Sequence, residues 1–293
     1  MTTANIRTSH HLYQFILSNA YAMHSYIPPE RFFSYLSWSQ ISALADKQNT
    51  LIIQPIGAIE QHGPHLPLVV DAAIATAVVG QALQKLNTDI PAYALPTLCY
   101  GKSNEHWRFP GTVTLTAQTL MSILMEMAES IYRAGFRKLV FINGHGGQPQ
   151  VLEIVARDLR QQYRDLMVFP MFVWGAPHNA ADIVGQNEYE KGIHAGDVET
   201  SVMLALMPEQ IQMDKAVREF PNELRTPNGE NSLLSLEGTL PMAWMMDDLS
   251  KSGVVGNATA ATAHKGEAIL SSVSDGWVRV FEELYQCLGP NPQ

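Results

Sequence analysis

The segment Thr50-Leu-Ile-Ile-Gln-Pro-Ile56, which Gly57 ends, has the make-up of a buried strand. It is short, almost entirely apolar and rich in β-branched residues. A strand with one solvated face alternates polar and apolar residues, whereas a continuous apolar run is typical of a strand covered on both faces. The segment therefore predicts a sheet with helices on either side.

Strand and helix patterns alternate from this segment toward the C-terminus. Further strands are predicted at 90–96, 138–143 and 166–174, and helices at 71–86, 116–134, 150–160 and about 259–287. Such alternation predicts an α/β fold with a mostly parallel central sheet. The carboxyl ends of parallel strands lie at one edge of a sheet, where we expect the functional loops.

We interpret residues 1–293 as a single domain with two additions. Residues 1–45 predict a helical extension, which Pro28-Pro29 breaks and which resumes around Trp38, with Ser39 as its candidate cap. Residues 220–256 are irregular and contain several prolines and glycines, which predicts a loop insertion at the edge of the active site and not a second domain.

Composition excludes several classes of protein. The formal net charge is −9 and no Lys/Arg cluster is present, which opposes binding to nucleic acid. No run approaches the roughly 20 apolar residues that a membrane span needs. The two cysteines, Cys99 and Cys287, lie far apart, so a disulfide framework has no support and a cytoplasmic setting is expected. Small molecules are therefore the expected partners.

Three groups of metal-ligand residue types follow predicted strands. They are Glu60-Gln-His62 with Asp71, Asn143-Gly-His145-Gly-Gly147, and His194-Ala-Gly-Asp197-Val-Glu199-Thr-Ser201. Glu60 and His62 are two residues apart, so in an extended segment their side chains point the same way. Asp71 opens a predicted helix and could bridge two ions. This mixture of nitrogen and carboxylate ligands suits Zn²⁺, Mn²⁺ or Fe²⁺ better than Ca²⁺ or Mg²⁺.

Each of these residues also has a purely structural explanation. Asp71 could cap its helix, His145 could be a turn residue, and Glu60 could be a solvated loop charge. Convergence of four such groups at one sheet edge favours a metal site. Glu199 could either cap a helix or support a ligand. His65 is expected to be structural.

The loop Tyr100–Thr112 combines glycine, polar and aromatic residues after a predicted strand, which is typical of a substrate-lining loop. Ser103, Glu105 and His106 are its candidate substrate-binding residues. Glu105 and His106 could equally lie on the surface.

Together with Phe109-Pro-Gly-Thr112, the three ligand groups resemble the creatininase family over roughly residues 48–287. The resemblance implies a three-layer α/β/α fold, a homohexamer, and a two-metal site that hydrolyses C–N bonds of small cyclic or formyl amides. By position, Glu60 and His145 would bind one metal, His62 would bind the other, and Asp71 would bridge them. His194 matches the family's proton-transfer histidine.

The chain departs from the family pattern at the second metal. Creatininase proper has a glutamate two residues after the motif histidine, where this chain has Gly147. Relatives with the His-Gly-Gly form carry a glutamate in the later motif, at the position of Asp197. The sequence therefore predicts Asp197 as the missing ligand, with helix capping as the alternative, and places Glu199 with His194 among the catalytic residues.

The predicted function is metal-dependent hydrolysis of a non-peptide C–N bond in a small cyclic amide. It would use two divalent ions, preferably Zn²⁺, with Mn²⁺ or Fe²⁺ as alternatives. One competing hypothesis is a nucleotide-binding protein whose Asn143–Gly147 loop cradles phosphate. Another is a catalytically silent, oligomeric binding protein of the same fold.

Overall fold

The central sheet has four parallel strands, and the computed structural model describes residues 24–221, 233–236 and 238–289. The strands are β1 (Leu51–Ile56), β2 (Ala92–Ala94), β3 (Lys138–Asn143) and β4 (Met167–Phe172). Their order is β2-β1-β3-β4, with Leu51 opposite Lys138 at one end of the central pair and Ile56 opposite Asn143 at the other.

Helices cover both faces of this sheet. In chain order, the α-helices of the described residues are α1 (Trp38–Ala43), α2 (Val70–Lys85), α3 (Ala117–Arg133), α4 (Pro149–Gln162), α5 (Ala180–Val184), α6 (Gln186–Lys191), α7 (Asp197–Leu206), α8 (Met246–Leu249) and α9 (Ala263–Gln286), of which the longer ones cover the sheet. One apolar cluster joins the sheet to α2, α7 and α9, and a second joins its other face to α3 and α4. The predicted three-layer α/β/α fold is confirmed.

The central strands β1 and β3 are mainly apolar because both of their faces are buried. In β1, Leu51 and Ile53 pack into the α2 and α9 cluster, whereas Ile52 and Ile56 pack into the α3 and α4 cluster. Successive strand residues point to opposite faces, so a sheet between two helical layers needs apolar residues at both sets of positions. Full burial of each such side chain stabilises the fold by about 1.5–3 kcal/mol.

The described part of the N-terminal region, residues 24–45, contains less helix than predicted. Residues 1–23 lie outside the described part of the chain, and residues 24–45 form two 3-10 turns, Pro29–Arg31 and Phe33–Tyr35, before α1. Ser37, not Ser39, caps α1: its hydroxyl accepts a hydrogen bond from the Gln40 N–H at 3.3 Å, and Gln40 Oε1 accepts one from the Ser37 N–H at 2.8 Å. This reciprocal pair is a capping box, which Ser39 cannot form because its own three-residue partner is not Glu or Gln.

The predicted 220–256 insertion is closed at its base by a two-stranded pairing. Strand β5 (Arg218–Glu219) pairs antiparallel with β6 (Gly256–Asn257), and residues 222–232 and 237 lie outside the described residues. Val255 also exchanges backbone hydrogen bonds of 3.2 and 2.8 Å with His194. The segment therefore borders the predicted functional residues. Within the described ranges, no helix is long and apolar enough to cross a membrane.

Candidate metal centre

The four predicted ligands Glu60, His62, Asp71 and His145 meet at the carboxyl edge of the sheet. Glu60 and His62 follow β1, His145 follows β3, and Asp71 lies in the first turn of α2. All four side chains are at most 3% exposed. The alternative explanations of Asp71 as a helix cap and Glu60 as a solvated charge do not hold, because α2 has no side-chain cap and Glu60 is buried.

Their polar atoms form two adjacent groups that share Asp71. In the first, His145 Nδ1 lies 3.1 Å from Glu60 Oε2 and 3.2 Å from Asp71 Oδ2. In the second, His62 Nε2 lies 3.2 Å from Asp71 Oδ1 and 4.0 Å from Glu199 Oε2. Each oxygen of the Asp71 carboxylate therefore faces a different histidine, as a bridging ligand would.

The donor set fits divalent cations. A tetrahedral ion with ligands at about 2.0–2.1 Å separates those ligands by about 3.3–3.4 Å, which is close to most of these distances. His62 Nε2 and Asp71 Oδ2 are also buried without a hydrogen-bond partner. Buried polar atoms without partners are costly, and a cation in each group would satisfy one of them.

The buried carboxylates of the cluster also favour positive charge beside them. Burial by itself lowers the pKa of His62, but the carboxylates of Asp71, Glu199 and Glu60 outweigh it and raise this pKa to about 9. Burial likewise opposes a charged His145, yet Glu60 and Asp71 raise its pKa well above the ordinary value. Without metal the carboxylates hold protons on these rings, so metal binding must displace protons.

Neighbouring groups orient Glu60 and His145, the ligands of the first group. The Ser103 hydroxyl donates a hydrogen bond to Glu60 Oε2. His145 Nε2 lies 3.0 Å from the Lys102 carbonyl oxygen and 3.0 Å from Glu105 Oε1, which leaves Nδ1 directed at Asp71. Carboxylate and carbonyl partners of this kind fix a ligand histidine's tautomer and orientation. Ser103 and Glu105, predicted to bind substrate, thus lie against ligands.

Glu105 fills the space that a side chain at position 147 would occupy. A Cβ on Gly147 would collide with Glu105 Oε1 and approach His145 Nε2 to 2.6 Å. Burial raises the pKa of Glu105, but His145 outweighs it and lowers this pKa to about 2. A carboxylate therefore stands beside His145 even though the motif position itself carries no side chain.

Close backbone contact at Gly144 places the helix that carries Asp71. A Cβ on Gly144 would collide with the Asp71 carbonyl oxygen. We expect Gly144→Ala to displace the first turn of α2 and to weaken metal binding at least about 10-fold, the lower end of the usual loss when a ligand's support is disturbed. Titration of metal-free protein by calorimetry measures this. Gly175→Ala is the matched control, because no atom lies within 4 Å of its new Cβ; equal affinities for the two variants would contradict the prediction.

The structure does not bring Asp197 into the cluster, against the expectation that it completes the second site. Asp197 Oδ2 pairs with Lys265 Nζ at 2.5 Å, and Oδ1 accepts a hydrogen bond from the Ser201 hydroxyl at 2.8 Å. Nor does Asp197 cap α7, whose N-cap is Gly196 without a side-chain bond. Glu199 instead lies with His62 and His194 in a group able to hold an ion.

A strained backbone holds Glu199. Ala195 has φ +54°, and its N–H donates a hydrogen bond of 2.6 Å to Glu199 Oε2. This left-handed conformation is costly for a residue with a Cβ, and such strain is concentrated at functional sites. Burial raises the pKa of Glu199 to about 7, against the opposing effect of His62.

His194 and His106 also lie against Glu60, with their rings tilted at 31° to each other. Their ring centroids are 4.3 Å apart, and those of His62 and His194 are 4.2 Å apart. His194 Nδ1 lies 3.9 Å and His106 Nε2 lies 3.6 Å from Glu60 Oε1. Burial, with His62 and His106, lowers the pKa of His194 well below its ordinary value, so this ring is neutral.

Gln61 is the residue that the sequence analysis missed. Its side-chain Nε2 lies 2.8 Å from His106 Nδ1 and 3.1 Å from His194 Nε2. Its position between Glu60 and His62 was visible in the sequence. Nothing there indicated that its amide turns away from both neighbours toward the two histidines.

His65 is a buried structural histidine and the source of a pH effect. Its Nε2 lies 2.9 Å from Thr200 Oγ1 on α7. Burial, with a smaller effect of His62, lowers its pKa from 6.5 to about 4. The unfolded chain therefore binds a proton below pH 6.5 that the folded protein refuses until about pH 4.

We expect the metal-free protein to lose stability across that window as the pH falls. His65→Gln should lose less, because it removes this titration. Urea unfolding at the two ends of the window measures the difference. Identical pH dependence of the free energy of unfolding in the two proteins would show that His65 does not contribute.

Comparison with known proteins finds relatives in sequence and in structure. The creatininase family model, described as creatinine amidohydrolase, matches residues 34–281. The mycofactocin precursor peptide peptidase of Mycolicibacterium smegmatis is 32% identical over 236 residues, covering 77% of this chain and 82% of that protein. The creatinine amidohydrolase of Pseudomonas putida is 31% identical over 206 residues, covering 65% and 77%. A solved structure described as creatininase Mn matches with a TM-score of 0.70 at 26% identity, covering 88% of this chain and 99% of that one.

Proposed function

Because this chain belongs to the creatininase family of hydrolases, we propose that it hydrolyses a non-peptide C–N bond in a small cyclic amide with the help of two divalent ions. The observation that carries the proposal is the Asp71 carboxylate, whose two oxygens face His62 and His145 separately. Zn²⁺ is the preferred ion for this nitrogen and carboxylate set, with Mn²⁺ or Fe²⁺ as alternatives.

The residues of the site have two roles, metal binding and proton transfer. Glu60, Asp71 and His145 would hold one ion, and His62, Asp71 and Glu199 the other. Bound ions of this kind lower the pKa of a coordinated water and polarise a carbonyl group. The neutral ring of His194 takes the proton of the attacking water and passes it to the leaving nitrogen, as a general base and then acid.

The geometry disfavours the two competing hypotheses. The Asn143–Gly147 loop directs His145 at Glu60, Asp71 and Glu105, and a phosphate beside these carboxylates would be repelled. The silent binding protein was suggested by the absent ligand at Gly147 and by Asp197. Glu199 beside His62 supplies a carboxylate there, which supports a complete second site.

A substrate screen tests the proposal. Zinc-loaded protein and its chelator-treated form would be incubated with cyclic amides, ureides and formamides, and products with one added water would be detected by mass spectrometry. Short linear peptides form a second panel, because the Mycolicibacterium relative is named a peptidase. We expect metal-dependent opening of a cyclic amide. Cleavage of peptides alone, or no turnover by protein that contains metal, would contradict the proposal.

We also propose a homo-oligomer, most simply the hexamer that the family resemblance implies. Light scattering at micromolar concentration should give a mass near six times 32.4 kDa. A monomer under these conditions would refute this. Both cysteines are free, as suits the cytoplasmic setting that we propose for this assembly.

A further inference from the structure

The side-chain amide of Gln61 is clamped between two backbone groups of opposite polarity. Its Oε1 accepts a hydrogen bond from the Gly63 N–H at 2.9 Å, and its Nε2 donates one to the Gly253 carbonyl at 3.1 Å. A backbone N–H can only donate and a carbonyl can only accept, so a reversed amide would place like groups together at both contacts. The identity of the oxygen and nitrogen of this amide is therefore determined.

Gly253 is part of this clamp. It has φ +80°, and a Cβ at this position would collide with Oε1 of Gln61. The loop that follows α8 thus reaches the amide only because residue 253 has no side chain. The amide is held from both sides, and Gln61 is 5% exposed.

The amide assigns the proton on His106. The Gln61 Nε2 carries two hydrogens: one is directed to the Gly253 carbonyl, and the other to His106 Nδ1 at 2.8 Å. His106 Nδ1 must therefore accept and carries no proton. With Nδ1 bare, the ring proton can lie only on Nε2, which is 3.6 Å from Glu60 Oε1.

The backbone of the same residue assigns the proton on His194. His194 Nε2 lies 2.8 Å from the Gln61 carbonyl oxygen, which can only accept, so Nε2 carries the hydrogen. The longer 3.1 Å contact with Gln61 Nε2 needs no hydrogen bond, because both hydrogens of that amide already have acceptors. His194 Nδ1, which faces Glu60, is left with a free lone pair.

We propose that Gln61 is a positioning residue that sets the tautomers of His194 and His106, so that His194 offers a proton-accepting Nδ1 and His106 offers an N–H at Nε2 to the same side of the site. The inference deepens the proposed function, since it gives each histidine one role. His194 moves the proton, and His106 donates a hydrogen bond to an oxygen of the substrate. Although Glu60, His106 and His194 are close enough to hold an ion, the N–H on His106 opposes a third metal there.

Solid-state ¹⁵N spectra of sedimented, zinc-loaded protein with labelled histidines test this, since ¹⁵N shifts separate protonated from unprotonated ring nitrogens. The chain has 10 histidines, and His106→Gln and His194→Gln identify the two signals of interest by difference. In the unmodified protein we expect Nε2–H and a bare Nδ1 for both rings. A proton on Nδ1 of either ring would overturn the proposal.

Gln61→Glu replaces the donor by an acceptor of the same shape. We expect the His106 signal to change to a protonated Nδ1, while His194 keeps its Nε2–H because its partner is a backbone carbonyl. Thr112→Val is the matched control: it removes the hydroxyl that accepts the Gln61 N–H at 3.1 Å but leaves the amide in place, so both tautomers should persist. An unchanged His106 signal in folded Gln61→Glu would overturn the role of the amide.

If Gln61→Glu does not fold, Gln61→Met removes the donor without adding charge and should give a mixture of His106 tautomers. A single Nε2–H species in that variant would equally count against the proposal. These spectra require no substrate, so a negative amide screen with the expected tautomers would reject only the proposed function, and the reverse result would reject only the role of Gln61.

Discussion

Asp71→Ala is expected to empty both metal positions and to lower turnover of a confirmed substrate by at least about 10³-fold, beyond the loss usual for one catalytic donor. Asp71 places one oxygen 3.2 Å from His62 and the other 3.2 Å from His145, whereas Glu60 lies close to His145 but 3.7 Å from His62. Its removal deprives both ions of a ligand. The protein should remain folded, because Asp71 makes no cap to α2.

Elemental analysis of the purified variant gives the metal content, and circular dichroism checks the fold. His145→Ala removes ligands from one side only, so it should abolish hydrolysis but retain part of the metal. Asp89→Ala, at an exposed position, is the matched control and should retain both metal and turnover. Full metal content in folded Asp71→Ala would exclude the bridging role.

Glu199→Gln is expected to lower the metal content, whereas Asp197→Asn is expected to lower the stability of the fold. Glu199 lies beside His62, so Glu199→Gln should lower the metal content from two ions toward one and cost turnover at least about 10²-fold. Asp197→Asn should keep both ions, because that carboxylate pairs with Lys265 and Ser201. Its cost should be about 1–3 kcal/mol of stability from weakening a buried, charged hydrogen bond.

Elemental analysis and urea unfolding of both variants measure the two effects side by side. Loss of metal from Asp197→Asn with full retention in Glu199→Gln would reverse the assignment and restore the sequence-based prediction. Because Lys265 lies on α9, a stability loss in Asp197→Asn would also show that this pair joins α7 to α9.

The fold was readable in the sequence because its signal is local. Strands β1 and β3 are apolar at most positions, with Gln54 and Lys138 as buried exceptions. The helices between them carry their own starting signals, such as Thr116, whose hydroxyl accepts the Thr119 N–H at 3.1 Å. Repetition of such units permits few topologies. Short elements were less predictable: two serines two residues apart, Ser37 and Ser39, both have cap chemistry, and the reciprocal bond with Gln40 selects Ser37.

Part of the site was readable for a similar reason. Glu60 and His62 are two residues apart on an extended segment, and Asp71 and His145 follow from strand and helix ends that a parallel sheet brings to one edge. Their placement needs only the topology. The loop residues Ser103 and Glu105 were assigned to the correct region but to substrate, whereas their contacts are with Glu60 and His145.

Local periodicity and strand order were sufficient to predict the layered α/β architecture, and the ligand-type residues after its strands identified four candidates at the carboxyl edge. The choice between Asp197 and Glu199 depends on tertiary contacts. Two positions two residues apart on a helix lie about 200° apart around its axis, so one of them faces the site and the other faces away. The rotation of α7 about that axis is set by its packing against α9. There Asp197 forms an ion pair with Lys265, while Glu199 lies at the metal centre.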